Sequence, residues 1–144
     1  MKISQAGVDA IKQYEALRLH AYLDGGGVTT IGYGSTKGVH TGDEITEEEA
    51  EDMLEWDLAE AEEAVQMFVE VELEQNEFDA LTSFTFNCGV NAFHGSTLLR
   101  LLNGGTDRVT VAQQFLRWDK IQGVPSKGLH NRRVAEKNMF LGLS

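Results

Sequence analysis

At 144 residues and 15.9 kDa the chain has the length of one domain, long enough to bury most of its apolar surface unaided. An apolar content of 42%, with seven Phe and two Trp, excludes a disordered chain, and no run of eighteen apolar residues offers a membrane span. The formal net charge of −11 is unevenly spread: residues 43–77 hold sixteen Asp or Glu and no Lys or Arg, whereas residues 98–144 hold eight Lys or Arg against Asp107, Asp119 and Glu136, a local balance of +5. The C-terminal part can therefore face a polyanion while an acidic helix points elsewhere. A single cysteine, Cys88, excludes an intramolecular disulfide, fits a reducing cytoplasm and reads as a core side chain. The N-terminus lacks the apolar stretch and cleavage site of a secretory signal.

Ser4 or Gln5 opens an amphipathic helix to about Leu17, with Val8, Ile11 and Glu15 on its inward face. A carboxyl group on that face loses water, which favours its protonated form. From Arg18 to Gly34 the period changes to that of a strand, with Val28, Thr30, Gly32 and Gly34 on one side and Ile31 and Tyr33 on the other. Asp24 stands at the lip of the turn Gly25-Gly26-Gly27, where solvent and ligand can approach the backbone. One dry and one wet carboxylate, brought together by a hairpin, make a general acid and its ionised partner. The triple glycine is no phosphate loop, since no GK[ST] follows it.

Lys37 to Asp43 reads as loop. Thr46 and Glu49 form a capping box, with Ile45 as staple, for a long helix over Glu47 to Phe68 whose core stripe is Ala50, Met53, Leu54, Leu58, Ala61, Val65 and Phe68. Its acidic run lacks the spacing of a calcium loop and reads as a solvated face. Val69 to Glu74 is an extended connector. Asn76 is expected to cap a helix through Phe78, Leu81, Phe84 and Phe86 that ends at Gly89, and Ser96 begins a short helix to Leu102. Thr106 is expected to cap the next helix, with Val109, Ala112, Phe115, Leu116 and Trp118, followed by a loop around Pro125. Ser126 then caps a last helix with Leu129, Val134, Phe140 and Leu141 as core. The sum is one α+β domain, mostly helical, with a small hairpin sheet near the N-terminus.

The stretches E-A-L-R-L (15–19), A-Y-x-D (21–24) and G-V-x-T-I-G-Y-G-x-T (27–36) resemble the opening of the phage-type lysozymes, the endolysins of glycoside hydrolase family 24. The steps from Glu15 to Asp24 and from Asp24 to Thr30 match that family's Glu, Asp, Thr catalytic set. NEFDALTSFTFNCG (76–89), GSTLLRLLN (95–103), FLRW (115–118) and GLHNRR (128–133) extend the resemblance over nearly the whole chain. It implies a lysozyme-like fold with a small hairpin lobe at about 12–55, a long connecting helix, and a helical lobe at about 70–144 that includes the N-terminal helix.

The resemblance also implies a muramidase of bacterial peptidoglycan that causes host cell lysis, with catalytic Glu15, Asp24 and Thr30. It brings Gly34, Thr36, Phe86, Asn87, Ser96, Thr97, Arg132 and Arg133 forward as substrate contacts. Asn87 equally suits a helix C-cap, Ser96 a helix N-cap, and Arg132 with Arg133 an ordinary surface pair or a support for the hairpin carboxylates. A monomer without cofactor is expected, held in the host cytoplasm until a holin opens the membrane, with no nucleic acid partner. His20, His40, His94 and His130 show no HExxH or paired ligand spacing, so no metal is expected, and Ser35 lies in no GxSxG elbow. Two rivals remain. A lytic transglycosylase would need neither Asp24 nor Thr30, and a non-catalytic wall-binding protein would need none of the three.

Overall fold

Thr46 and Glu49 close on one another as a capping box: Thr46 N–H donates to Glu49 Oε1 at 3.0 Å and Glu49 N–H to Thr46 Oγ1 at 3.1 Å. From that start α2 (Glu47–Phe68) runs 22 residues in the computed structural model, which describes residues 1–143. Glu47, Glu48 and Glu49 lie at the positive end of its dipole. Ala50, Leu54, Leu58, Ala61 and Val65 form the buried stripe that the spacing predicts, joined by Ala64, while Met53 and Phe68 are only partly buried. The chain divides into two compact units, Val8–Ala59 and Met1–Gly7 with Glu60–Ser144. Both α1 (Gln5–Tyr14) and α2 supply residues to each. The first helix stops short of Leu17 because the chain is already extended at Arg18, where the first strand begins.

In the Val8–Ala59 unit, β1 (Arg18–Leu23) and β2 (Thr29–Gly32) pair antiparallel, with Tyr22 opposite Thr30, Leu23 opposite Thr29 and an irregularity between Arg18 and Tyr22. The glycine turn joining them is closed by Asp24 N–H to Val28 O and Gly27 N–H to Asp24 O, both at 3.0 Å, with Gly27 at φ +79°. The strand expected as far as Gly34 ends at Gly32. Gly32 (φ +68°) and Gly34 (φ +89°) turn the chain back, and Ile31 and Ser35 exchange both backbone hydrogen bonds at 2.9 Å. Side chains with a Cβ rarely take such angles, so G-Y-G makes a turn here rather than strand. The segment 43–45 also bonds to β1, through Ala21 N–H to Asp43 O and Ile45 N–H to Leu19 O, each 2.9 Å. Ile11, Ile31, Tyr33, Ala50, Leu54 and Leu58 are the buried apolar side chains of this unit. Each buried Ile or Leu contributes about 1.5–3 kcal/mol over leaving it in water.

The other unit is built from α3 (Gln75–Cys88), α4 (Val90–His94), α5 (Thr97–Asn103), α6 (Arg108–Gln113), a 3-10 turn (Gln114–Arg117) and α7 (Lys127–Phe140). Val69–Glu74 is the expected connector. Phe84 is its aromatic hub, meeting Phe115 and Trp118 edge-on at 5.5 Å between centroids and Phe93 at 6.4 Å.

Several caps differ from expectation. Glu74, not Asn76, starts α3, with Glu74 N–H donating to Glu77 Oε1 at 2.8 Å. Asn76 donates its amide to the Met139 and Phe140 carbonyls at 3.1 and 3.0 Å, so it serves the end of α7, where carbonyls lack helical partners. Asp107, not Thr106, caps α6, accepting from Thr110 N–H at 3.0 Å; the helix therefore starts a residue later and buries Val111 instead of Val109. The five-residue α4 was not expected, being too short to show a period. The loop at Pro125 is a second hairpin, β3 (Lys120–Ile121) with β4 (Val124–Pro125), whose turn residues Gln122 and Gly123 both have positive φ. Ser126 does cap α7, accepting from Leu129 N–H at 3.2 Å.

Candidate active site

Glu15 follows the last residue of α1, and its N–H still donates to Ile11 O at 3.2 Å. The side chain is partly exposed, not dry as the inward face suggests, although Ile11 one turn earlier is fully buried. Its carboxyl group lies against the backbone of Gly34: a Cβ added there would stand 3.2 Å from Glu15 Oε2 and 3.6 Å from the carboxyl carbon. The glycine thus meets two demands, a positive φ and an absent side chain beside a carboxyl group.

Asp24 is exposed, and its Oδ1 accepts from the N–H groups of Gly26 and Val28, both at 2.8 Å. Thr30 is buried, and its hydroxyl donates to the carbonyl of Val28 at 2.9 Å. Both side chains are therefore tied to the backbone of one residue, Val28, the carboxylate at its N–H and the hydroxyl at its C=O. Because the Thr30 proton is committed to that carbonyl, the hydroxyl has only lone pairs left to offer. A water between the two side chains would donate one proton to each and turn its own lone pairs outward. Side-chain periodicity could not have revealed Val28, since its backbone does the holding. Thr36 is exposed and follows Ser35, whose buried hydroxyl donates to Asp57 Oδ2 at 2.7 Å.

The remaining expected residues all belong to the helical unit. Asn87 is exposed, and its Oδ1 accepts from Arg133 Nη2 at 2.7 Å. The C-cap of α3 is Gly89. Arg132 and Arg133 are no surface pair: Arg133 is 0% exposed and Arg132 5%. Arg133 reaches Glu136 Oε1 through Nε at 2.9 Å and the Cys88 sulfur through Nη1 at 2.6 Å, with its guanidinium 5.3 Å from the Phe84 ring centre. Arg132 Nε lies 3.4 Å from Glu136 Oε2, to which the Ser83 hydroxyl donates at 2.5 Å.

Burial pushes the Glu136 carboxyl upward, against the pull of Arg133 and Arg132, and burial likewise pushes the Cys88 thiol up. Glu136 escaped the sequence reading, although its spacing of three and four residues from the arginines is the signal that would have found it. Ser96 caps α5, accepting from Leu99 N–H at 3.1 Å and donating to Phe93 O at 2.7 Å, so its proton is engaged within the turn. Thr97 opens α5 partly exposed, and Phe86 is partly buried near the end of α3.

Against known proteins, a sequence model of the phage lysozyme family matches residues 12–136. The endolysin of Acyrthosiphon pisum secondary endosymbiont phage 1 is 43% identical over 144 residues, covering 97% of this chain and 98% of that one. The endolysin of Bacillus phage B103 is 42% identical over 98% of this chain, which spans 54% of that longer protein. Among solved structures, the muramidase domain of SpmX from Asticaccaulis excentricus superposes with a TM-score of 0.89 at 43% identity, covering 97% of each chain.

Proposed function

The chain belongs to the phage lysozyme family and is a cell-wall lytic enzyme of that type, and from this premise we propose a muramidase that cleaves the β-1,4 bond between N-acetylmuramic acid and N-acetylglucosamine with inversion. Glu15 protonates the glycosidic oxygen. The Asp24 carboxylate stabilises positive charge at the sugar and helps draw one proton from water, and Thr30 holds that water by accepting a hydrogen bond from its other O–H, which stays with the product. The observation that carries this reading is the double attachment to Val28, which sets a carboxylate and a hydrogen-bond-accepting hydroxyl around one backbone residue. A retaining enzyme's aspartate attacks the sugar itself and its water enters later beside the acid, so no water is held next to the aspartate, whereas an inverting enzyme keeps its carboxyl groups about 6.5–9.5 Å apart to seat one there. Gly34 supports it by leaving space at the Glu15 carboxyl. Thr36, Phe86, Asn87 and Thr97 are the side chains proposed to meet the glycan, with Arg133 holding Asn87 in place.

Lysis of the host follows once the enzyme, a monomer without cofactor, leaves the cytoplasm through a membrane opened by a holin-type partner. Among the described residues no helix is long and apolar enough to cross a membrane.

Mass spectrometry of digested peptidoglycan tests the bond: reducing muramic ends are expected, and anhydro ends would replace hydrolysis with transglycosylation. Proton NMR of the earliest product should show the α-anomer; an initial β-anomer would overturn the roles given to Asp24 and Thr30. Glu15→Gln should keep the fold and lose roughly 10²–10⁴-fold in turnover. A variant retaining about a tenth of wild-type turnover lies outside that general-acid range and would remove Glu15 from its role.

A further inference from the structure

A large aromatic side chain stands on the acidic exposed face of α2. Trp56 is 74% exposed, and its indole lines a hollow of about 270 Å³ with Ser35, Lys37, Asp52, Met53 and Asp57, all within the Val8–Ala59 unit. A lone exposed aromatic is ordinary. An aromatic wall on a concavity that also carries hydrogen-bonding groups has the composition of a ligand site. Among the described residues Asp52 and the Trp56 indole N–H make no hydrogen bond or ion pair, and Asp57 commits only Oδ2, to Ser35. The hollow begins one residue beyond Gly34, whose backbone lies against the Glu15 carboxyl group.

We infer that this hollow is an outlying glycan subsite that takes a neutral N-acetylated pyranose of the substrate strand. The inference rests on the muramidase reading above. The negative face of an indole attracts the C–H bonds on the flat side of a pyranose. Asp52 and the second oxygen of Asp57 accept hydroxyl protons, and Lys37 and the indole N–H donate. Two carboxylates against one ammonium leave the lining at a formal −1, which repels the lactyl carboxylate that muramic acid carries on peptide-free strands and selects N-acetylglucosamine. The volume falls just below the usual range for small-molecule pockets and suits a single sugar ring. Such remote contacts make long substrates better than short ones.

The test compares Trp56→Ala, Trp56→Phe and, as a control, Met67→Ala, which removes another exposed apolar side chain from the same helix. kcat/KM is measured on a peptide-free wall hexasaccharide and on a trisaccharide. Trp56→Ala should lower the hexasaccharide-to-trisaccharide ratio by about threefold to tenfold, through KM, as an aromatic contact of this kind implies. Trp56→Phe should recover part of the loss, and Met67→Ala should leave the ratio where it was. In the Glu15→Gln protein, N-acetylglucosamine oligomers should change the indole fluorescence, and Trp56→Ala should abolish that change. An unaltered ratio in a wild-type enzyme that cleaves both substrates overturns the subsite and leaves the muramidase reading standing. A loss seen only on peptide-bearing strands assigns the hollow to the stem peptide and overturns the sugar. A wild type that cleaves no wall glycan overturns both.

Discussion

Replacing Arg133 with methionine separates a structural guanidinium from a substrate-facing one. The side chain is fully buried and supplies Glu136 with its nearest cation, at 2.9 Å. Removing one partner of a buried pair leaves the other uncompensated and costs about 3–5 kcal/mol. A chain of this size loses about 3 °C in Tm per kcal/mol, so Arg133→Met should melt about 10–15 °C lower. The loss should shrink as pH falls. With Arg133 gone, burial raises the Glu136 carboxyl further above its unfolded value, so the folded variant takes up a proton more readily than the unfolded chain and gains stability in acid, which it loses again as pH rises through that folded value. The triple variant Arg132→Met, Arg133→Met, Glu136→Leu removes the three charges together and should be more stable than Arg133→Met alone, because Glu136 is no longer buried without its nearest cation. Differential scanning calorimetry between pH 4 and 8, with denaturant melts for the free energies, is the measurement. A cost for Arg133→Met below about 1 kcal/mol, accompanied by a rise in KM, would refute this reasoning and return the guanidinium to the glycan.

Gly34→Ala should lose more activity than stability, whereas Gly38→Ala, at a similar φ of +69° with nothing within 4 Å, should lose stability alone; paired melting and lysis assays separate backbone strain from the push on Glu15. Thr110 holds the Asp107 carboxyl below the usual range, so the contribution of this cap is present above the unfolded value near about pH 4 and lost as pH falls through the lower folded one. The Tm difference between wild type and Asp107→Ala should accordingly close between neutral pH and pH 2. Lys120→Glu with Lys127→Glu, both exposed, should slow lysis of whole walls more than cleavage of a short neutral glycan, and the gap should narrow with salt, since screening acts within about 10 Å at 0.1 M.

The helices were legible wherever a cap and a stripe agreed. Glu47–Phe68 has both, a capping box and an apolar repeat, and its bounds match the reading. Where two polar residues stood side by side, local chemistry left the choice open and tertiary partners made it. Asn76 looks like an N-cap until the end of α7 arrives to take its amide, and Thr106 yields to Asp107, whose carboxylate accepts from both the backbone and the hydroxyl of Thr110. Gln122-Gly123 gives no hairpin signal in the sequence because the strands on either side are only two residues long, too short to show alternation.

The candidate site divides along the same physical line. Glu15, Asp24 and Thr30 could be singled out because their types and spacing survive in one dimension. What holds them does not. Asp24 and Thr30 are fixed by the two polar ends of Val28, whose own side chain is 47% exposed and would attract no notice. Glu15 is accommodated by an atom that is missing, the Cβ of Gly34. On the helical side, a pair of adjacent arginines carries the same letters whether it faces solvent or a buried glutamate. The discriminating residue is Glu136, and the distinction depends on α7 turning that face toward Ser83 and Asn87 of α3. Chemistry that resides in side-chain identity is therefore readable from the chain, while positioning by backbone groups, absent atoms and buried counter-ions becomes readable only once the elements are packed. The substitutions that separate these contributions are at Gly34 and Arg133, not at Glu15.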